Sequence, residues 1–176
     1  MAVRQIRIMG DDILTKKCKP VKEMTGRTME LSEDMFETMD EANGCGLAAP
    51  QGGVLKQIVI SDVDDGNQYV MINPEIIGQE GSQTGYEGCL SLPGKSGIVT
   101  RPNYVKVKAL DENMEPYELE GEGLLARAIC HEVAHLEGQM YVELVEGELV
   151  DAGAEPEEGI TEYERILQGF TDMIVE

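Results

Sequence analysis

The sequence predicts an α+β fold: antiparallel β-sheets packed around a central helix, with a further helix in the N-terminal half and another at the C-terminus. Three observations predict it. Apolar residues recur at helical spacing over 28–43 (Leu31, Met35, Met39, Ala42) and again from Leu124 to Leu136 (Leu125, Ala128, Ile129 and Val133 between them). Between these stretches, apolar or alternating runs at 55–61, 68–73, 75–78, 105–110 and 117–120 are separated by turn signals such as Asp64-Asp65-Gly66-Asn67 and Asn73-Pro74. The strands therefore come in succession ahead of the second helix, which argues against a parallel sheet built from βαβ units.

Taken in order, residues 1–24 read as an irregular arm, since Pro20 and the Lys16, Lys17 and Lys19 cluster disfavour a long helix. The first helix closes at Asn43-Gly44 as a glycine stop. Gly44-Cys45-Gly46-Leu47-Ala48-Ala49-Pro50-Gln51 follows, small residues that suit either a tight helix-to-strand connection or close approach of backbone to a ligand. Asp111–Met114 turns the 105–110 strand back on itself. Gly85–Gly94 reads as a glycine-bounded loop presenting Cys89. Gly138 is the stop of the second long helix. Beyond it, Glu155-Pro156-Glu157-Glu158 followed by Ile160, Tyr163, Ile166, Leu167, Phe170 and Ile174 predicts an amphipathic helix with an acidic start. The organisation is thus a catalytic unit over 1–150 and an acidic extension over 151–176.

Composition limits the partners. The chain has 176 residues, 41% of them apolar, enough for one domain with a substantial core. Fourteen basic residues against 34 acidic ones give a net charge of -20. Such a field repels phosphate backbones and anionic bilayers, so nucleic acid and membranes are excluded as direct partners. The N-terminal residues lack the apolar run of a signal peptide, and no stretch approaches 18 apolar residues. The four cysteines, Cys18, Cys45, Cys89 and Cys130, are too widely spaced for a compact disulfide framework, which predicts a reduced, cytoplasmic protein.

The chemistry concentrates in Ala128–Gly138. The chain's only histidines, His131 and His135, stand four residues apart on a buried-looking helix with Glu132 between them. Residues i and i+4 share a helix face, so both imidazoles can grip one metal ion, while a glutamate about 100° round the helix reaches a water on that ion. This H-E-x-x-H pattern places a general base beside a hydrolytic metal. Two histidines leave the site one ligand short. Tyr141 stands where some metalloproteases supply a third histidine. The remaining donors are a downstream carboxylate (Glu143, Glu146, Glu148 or Asp151) or one of the cysteines.

Three segments in the same order, G-C-G-L-A-A-P-Q from Gly44, E-G-C-L-S from Glu87 and H-E-V-A-H-L from His131, resemble the signatures of peptide deformylases, which remove the N-formyl group from the initiator methionine of new bacterial polypeptides. The resemblance implies one divalent metal on Cys89, His131 and His135. Fe(II) is the family's usual ion, and Ni, Co or Zn can replace it. It implies Glu132 as the general base and acid, with Gln51 and the backbone N–H of Leu90 holding the formyl oxygen. It further implies Gly46 as backbone partner of an extended peptide, Cys45, Leu124 and Ala128 near the methionine pocket, and Glu87 with Arg101 as a pair tying the cysteine segment to the next strand. The substrate would be N-formylmethionyl nascent peptides and the protein a monomer. Two departures stand out: Ala134 where the family commonly has aspartate, and Gly53 where an aliphatic residue is usual. The tail departs further. Some members dock on the ribosome through a basic helix, whereas 143–176 carries eleven acidic residues and one basic residue, Arg165, which argues against such docking.

Overall fold

The structure, a computed structural model, describes residues 2–153. After the N-terminal arm come α1 (Gly26–Glu41), β1 (Gly46–Ala48) and a 3-10 turn at Ala49–Gly52. Six strands follow: β2 (Ile58–Ser61), β3 (Tyr69–Glu80), β4 (Gln83–Cys89), β5 (Leu92–Arg101), β6 (Tyr104–Leu110) and β7 (Pro116–Glu122). The chain closes with α2 (Leu124–Leu136), a 3-10 turn at Tyr141–Leu144 and β8 (Glu146–Asp151). All strand pairs in the two sheets are antiparallel. One sheet has the order β1-β2-β3-β6-β7 and the other β4-β5-β8. The predicted α+β class is the class observed.

The larger sheet is buried on both faces at β2, and the alternation there shows how. In β2, Val59 packs on α2 with Met71, Val105 and Val107, while Ile58 and Ile60 turn to α1 with Leu31, Met35 and Met39. Two helices thus cover one sheet. The apolar stripes read from the sequence are the surfaces that meet it, and apolar burial of about 25 cal/mol per Å² holds the layers together. Thr25 caps α1 by accepting from the Thr28 N–H at 3.1 Å. Gly138 ends α2 with φ +79°, and a Cβ there would stand 2.6 Å from the Thr15 carbonyl oxygen.

Four expectations need correction or fall outside view. The left-handed residue that stops α1 is Asn43 (φ +59°), with the Gly44 N–H returning to the Met39 carbonyl at 2.9 Å. Asn73-Pro74 is no turn: β3 runs through it with a register shift between Ile72 and Glu75, and the Asn73 amide bonds both the N–H and the carbonyl of Val21 at 2.8 Å. Gly85–Gly94 is no loop but the end of a hairpin, β4 pairing β5 with Cys89 opposite Leu92. The amphipathic helix predicted at 155–174 lies outside the described residues.

Candidate active site

Helix α2 is the floor of the site. Both histidines and Glu132 are buried, at 6%, 1% and 5% exposure for His131, His135 and Glu132. The β4–β5 hairpin brings Cys89 over them: its Sγ lies 3.4 Å from His135 Nε2. One donor atom from each of Cys89, His131 and His135 falls within 4.8 Å of the others, a spacing that fits a single ion. No other group of three metal-ligating side chains converges among the described residues. The downstream carboxylates are engaged elsewhere. Glu143 accepts from the Met140 N–H, Glu146 from Thr100 Oγ1 and Asp151 from Lys95, while β8 carries Glu148 on an exposed strand.

The histidine orientations follow from their neighbours. His131 Nδ1 donates to Glu87 on β4 at 2.5 Å, which orients the ring and turns Nε2 away from Glu87. Glu87 also accepts from Arg101 through Nε at 3.1 Å and Nη2 at 2.6 Å, and from Arg127 Nη1 at 2.8 Å. Burial would raise the pKa of Glu87, but hydrogen bonds from His131 and Arg101 reverse this and hold it at about 2. His131 is pushed up to about 10: burial opposes its charge, and Glu132, Cys89 and Glu87 outweigh burial. Burial, with His131 and Arg101 nearby, holds His135 down at about 3, so it stays neutral. Its Nδ1 is buried without a hydrogen-bond partner among the described residues.

Glu132 is built differently. Burial raises it to about 7 against the pull of His131, and its Oε1 has no partner among the described residues. Gly46 makes room for it, since a Cβ there would stand 2.8 Å from Glu132 Oε2. Strand β1 is an edge strand. The Asp62 N–H bonds Cys45 O at 3.1 Å, so alternation turns the N–H and carbonyl of Gly46 to the open edge.

Gln51 is 1% exposed on its 3-10 turn. Its Oε1 accepts from the Ala48 N–H at 2.9 Å, and its Nε2 donates to Ser91 Oγ at 3.1 Å and lies 3.6 Å from Cys89 Sγ. Cys45, Gly46, Leu90, Leu124 and Ala128 line a cavity of about 880 Å³ that also reaches Cys89, His131 and Glu132, whereas Gln51 and His135 do not line it. Leu90 packs against Gly44 so closely that a Cβ there would lie 2.7 Å from its Cδ1. The Gly53 departure has a local cause: φ is +92°, and a Cβ would meet the Arg7 guanidinium at 2.8 Å. Sequence reasoning missed Arg127 and Ser91, and took Tyr141 only as the residue in a third histidine's place; it is buried, with its ring 5.7 Å from that of His131. Arg127 lies on the 3.6-residue period of α2, one turn before His131, and that spacing was the available signal.

Two imidazoles and a sulfur facing one point, with a buried carboxylate beside them, define a metal-dependent hydrolase. The chain belongs to the polypeptide deformylase family, whose model matches residues 3–148. It is 60% identical to the peptide deformylase of Lachnoclostridium phytofermentans over 160 residues, 90% of this chain and 98% of that one. It is 61% identical to that of Agathobacter rectalis over 151 residues, 86% and 95% of the two chains. Among solved structures, a peptide deformylase from Legionella pneumophila superposes with a TM-score of 0.79 at 42% identity, covering 82% of this chain and 86% of that one.

Proposed function

We propose that Cys89, His131 and His135 hold one divalent cation in this deformylase, and that Glu132 moves the proton in its reaction. The enzyme removes the N-formyl group from the terminal formylmethionine of new polypeptides, with water as co-substrate and formate and a free amine as products. The observation that carries the reading is the convergence of the three donors beside a buried, unpartnered carboxylate oxygen. The donors suit the cation: one soft thiolate and two imidazoles favour a borderline ion, Fe(II) by the resemblance, with Ni, Co or Zn accepting the same set. A cation here supplies Lewis acidity, polarising the formyl carbonyl and lowering the pKa of water.

The chain's own residues do the rest. Glu132, poised near neutrality, accepts a proton from the attacking water and hands it to the amine nitrogen as the C–N bond breaks. Gln51 Nε2 carries two hydrogens, one donated to Ser91 Oγ and the other to Cys89 Sγ; by the resemblance the second turns to the formyl oxygen together with the Leu90 N–H. Donors so placed are worth about 3 kcal/mol each. The open edge at Gly46 aligns an extended peptide by backbone pairing. Cys45, Leu124 and Ala128 border the space for the methionine side chain. The Glu87–Arg101 pair fixes His131.

The family match ending at residue 148 supports 1–150 as the catalytic unit and 151–176 as an appended acidic segment. No helix among the described residues is long and apolar enough to cross a membrane. The reading completes as a cytoplasmic monomer that meets nascent chains without docking its acidic tail on the ribosome.

The test is anaerobic formate release from formyl-Met-Ala-Ser with metal analysis of the same preparation. The wild type carries about one metal per chain and releases formate, and Cys89→Ala loses both. A Cys89→Ala protein that keeps its metal and activity would overturn the assignment.

A further inference from the structure

The N-terminal arm passes the site with almost no core of its own. Val3, Ile8 and Met9 are 43%, 46% and 46% exposed, and within 2–10 only Arg4 and Ile6 are half-buried. Polar contacts hold the arm down instead. On α1, Asp34 Oδ1 accepts from the Ala2 N–H at 2.6 Å and Thr38 Oγ1 from the Arg4 N–H at 2.8 Å, while the Arg4 guanidinium pairs with Asp34 at 2.9 Å. Further along, the Arg7 N–H donates to the Gln51 carbonyl and the Met9 N–H to the Ser91 carbonyl, each at 2.7 Å. The Ile8 N–H between them has no partner among the described residues, the alternation of an extended chain.

Those two acceptors belong to the segments that carry Gln51 and Leu90. Leu90 and Ser91 are the two-residue tip of the β4–β5 hairpin, between the paired Cys89 and Leu92, so no rung of that ladder holds them. Gln51 lies on the turn after β1 of the larger sheet, whereas the hairpin belongs to the smaller one. Gln51 Nε2 reaches across to Ser91 Oγ at 3.1 Å. The bonds Arg7 to Gln51, Gln51 to Ser91 and Ser91 to Met9 thus close a ring through three residues of the arm. Its effect is to tie together two segments that no strand pairing joins.

We infer that Arg7 and Met9 are positioning residues: their backbone N–H groups strap the Gln51 turn to the hairpin tip and so set the spacing between Gln51 Nε2 and the Leu90 N–H. The inference rests on the proposed role of those two donors at the formyl oxygen. Donors that engage fully only as charge develops on that oxygen act on kcat more than on KM. A misplacement of about 1 Å costs up to about 100-fold, so loss of one of two straps should cost about tenfold.

The experiment is a proline scan of the metal-loaded full chain, with kcat and KM for formyl-Met-Ala-Ser and metal content measured on each variant. Arg7→Pro and Met9→Pro each remove one N–H of the strap, and Ile8→Pro removes the unpartnered one between them. Position 9 accepts proline. The Asp11 N–H bonds Ile8 O at 3.0 Å and Gly10 has φ +108°, which makes Met9 the second residue of a turn, where proline is favoured. Arg7→Pro and Met9→Pro should each lower kcat about tenfold, with KM and metal content within about twofold of wild type, and Ile8→Pro should change none of them. Equal losses in all three, or no loss in the strap variants, overturn the strap, and either strap variant decides the comparison if the other does not fold. Gln51→Met removes one donor, so adding Met9→Pro to it should cost at most about threefold more. Full multiplication of the two losses gives the arm a merely structural role and overturns the inference. A Gln51→Met protein with wild-type kcat overturns the role of Gln51 and the strap together, leaving the deformylase reading intact. A wild type that releases no formate overturns that reading as well.

Discussion

Glu87 and Glu132 are two buried carboxylates flanking one histidine, and the fold treats them in opposite ways. Glu87 receives four hydrogen bonds, from Arg101 twice, from Arg127 and from His131. Burial alone would raise it, yet those partners hold it at about 2. Glu132 accepts no arginine hydrogen bond among the described residues, has one oxygen without a partner, and is raised by burial to about 7 against the pull of His131 and Arg101. The first is a framework anion that never needs to change its protonation state. The second is left incompletely satisfied, which costs stability and keeps its proton exchangeable near neutral pH.

The contrast breaks most clearly at Glu132. Glu132→Gln should lower kcat by about 10³-fold while the melting temperature holds or rises, because a strained, underpartnered group has been neutralised. Formate assays and thermal denaturation on one preparation check both halves, and a melting point lowered by several degrees would move Glu132 into the framework class.

Glu87→Ala should do the reverse in stability. It strands two buried arginines, and breaking such a pair costs about 3–5 kcal/mol, readable as a shifted urea midpoint. The pH dependence has a definite sign. Glu87 lies below its ordinary value of 4.5, so its contribution is complete above that pH and fades as pH falls toward about 2. Wild type and Glu87→Ala should therefore converge in stability as the solution is acidified from pH 6 to 2.5.

The smallest effect sharpens the boundary between the two groups. Gly46→Ala places a methyl 2.8 Å from Glu132 Oε2, so it should displace that carboxylate and cost about 10- to 100-fold in kcat. Glu87 and the stability it confers should not change. A Gly46→Ala protein of full activity would show that the carboxylate tolerates displacement.

What the sequence revealed about these residues depended on range. His131, Glu132 and His135 share one helix, so their spacing alone announced a site, and the alternation of β6 showed as plainly in Val105-Lys106-Val107-Lys108. Cys89 was harder. Its glycine neighbours read as loop punctuation, because the pairing that makes the segment a hairpin comes from β5, which β8 in turn joins from some 50 residues downstream. Asn73-Pro74 misled for a related reason: the Asn73 side chain is satisfied by Val21, 52 residues away, so a local turn signal became a bulge inside a long strand. The contact of Glu87 with His131 spans 44 residues. No pattern within either segment encodes it, and only the three motifs taken together, by resemblance, brought Glu87 near the site at all.

The first strand offers only three residues along its outer margin. In the proposed reading such a stub clasps the leading end of a nascent chain through main-chain amides common to every product of translation. It is also too brief to template a ladder with a second copy of itself. In the proposed reading, an enzyme that meets every new chain thereby keeps a margin for backbone pairing that is too short to pair with itself.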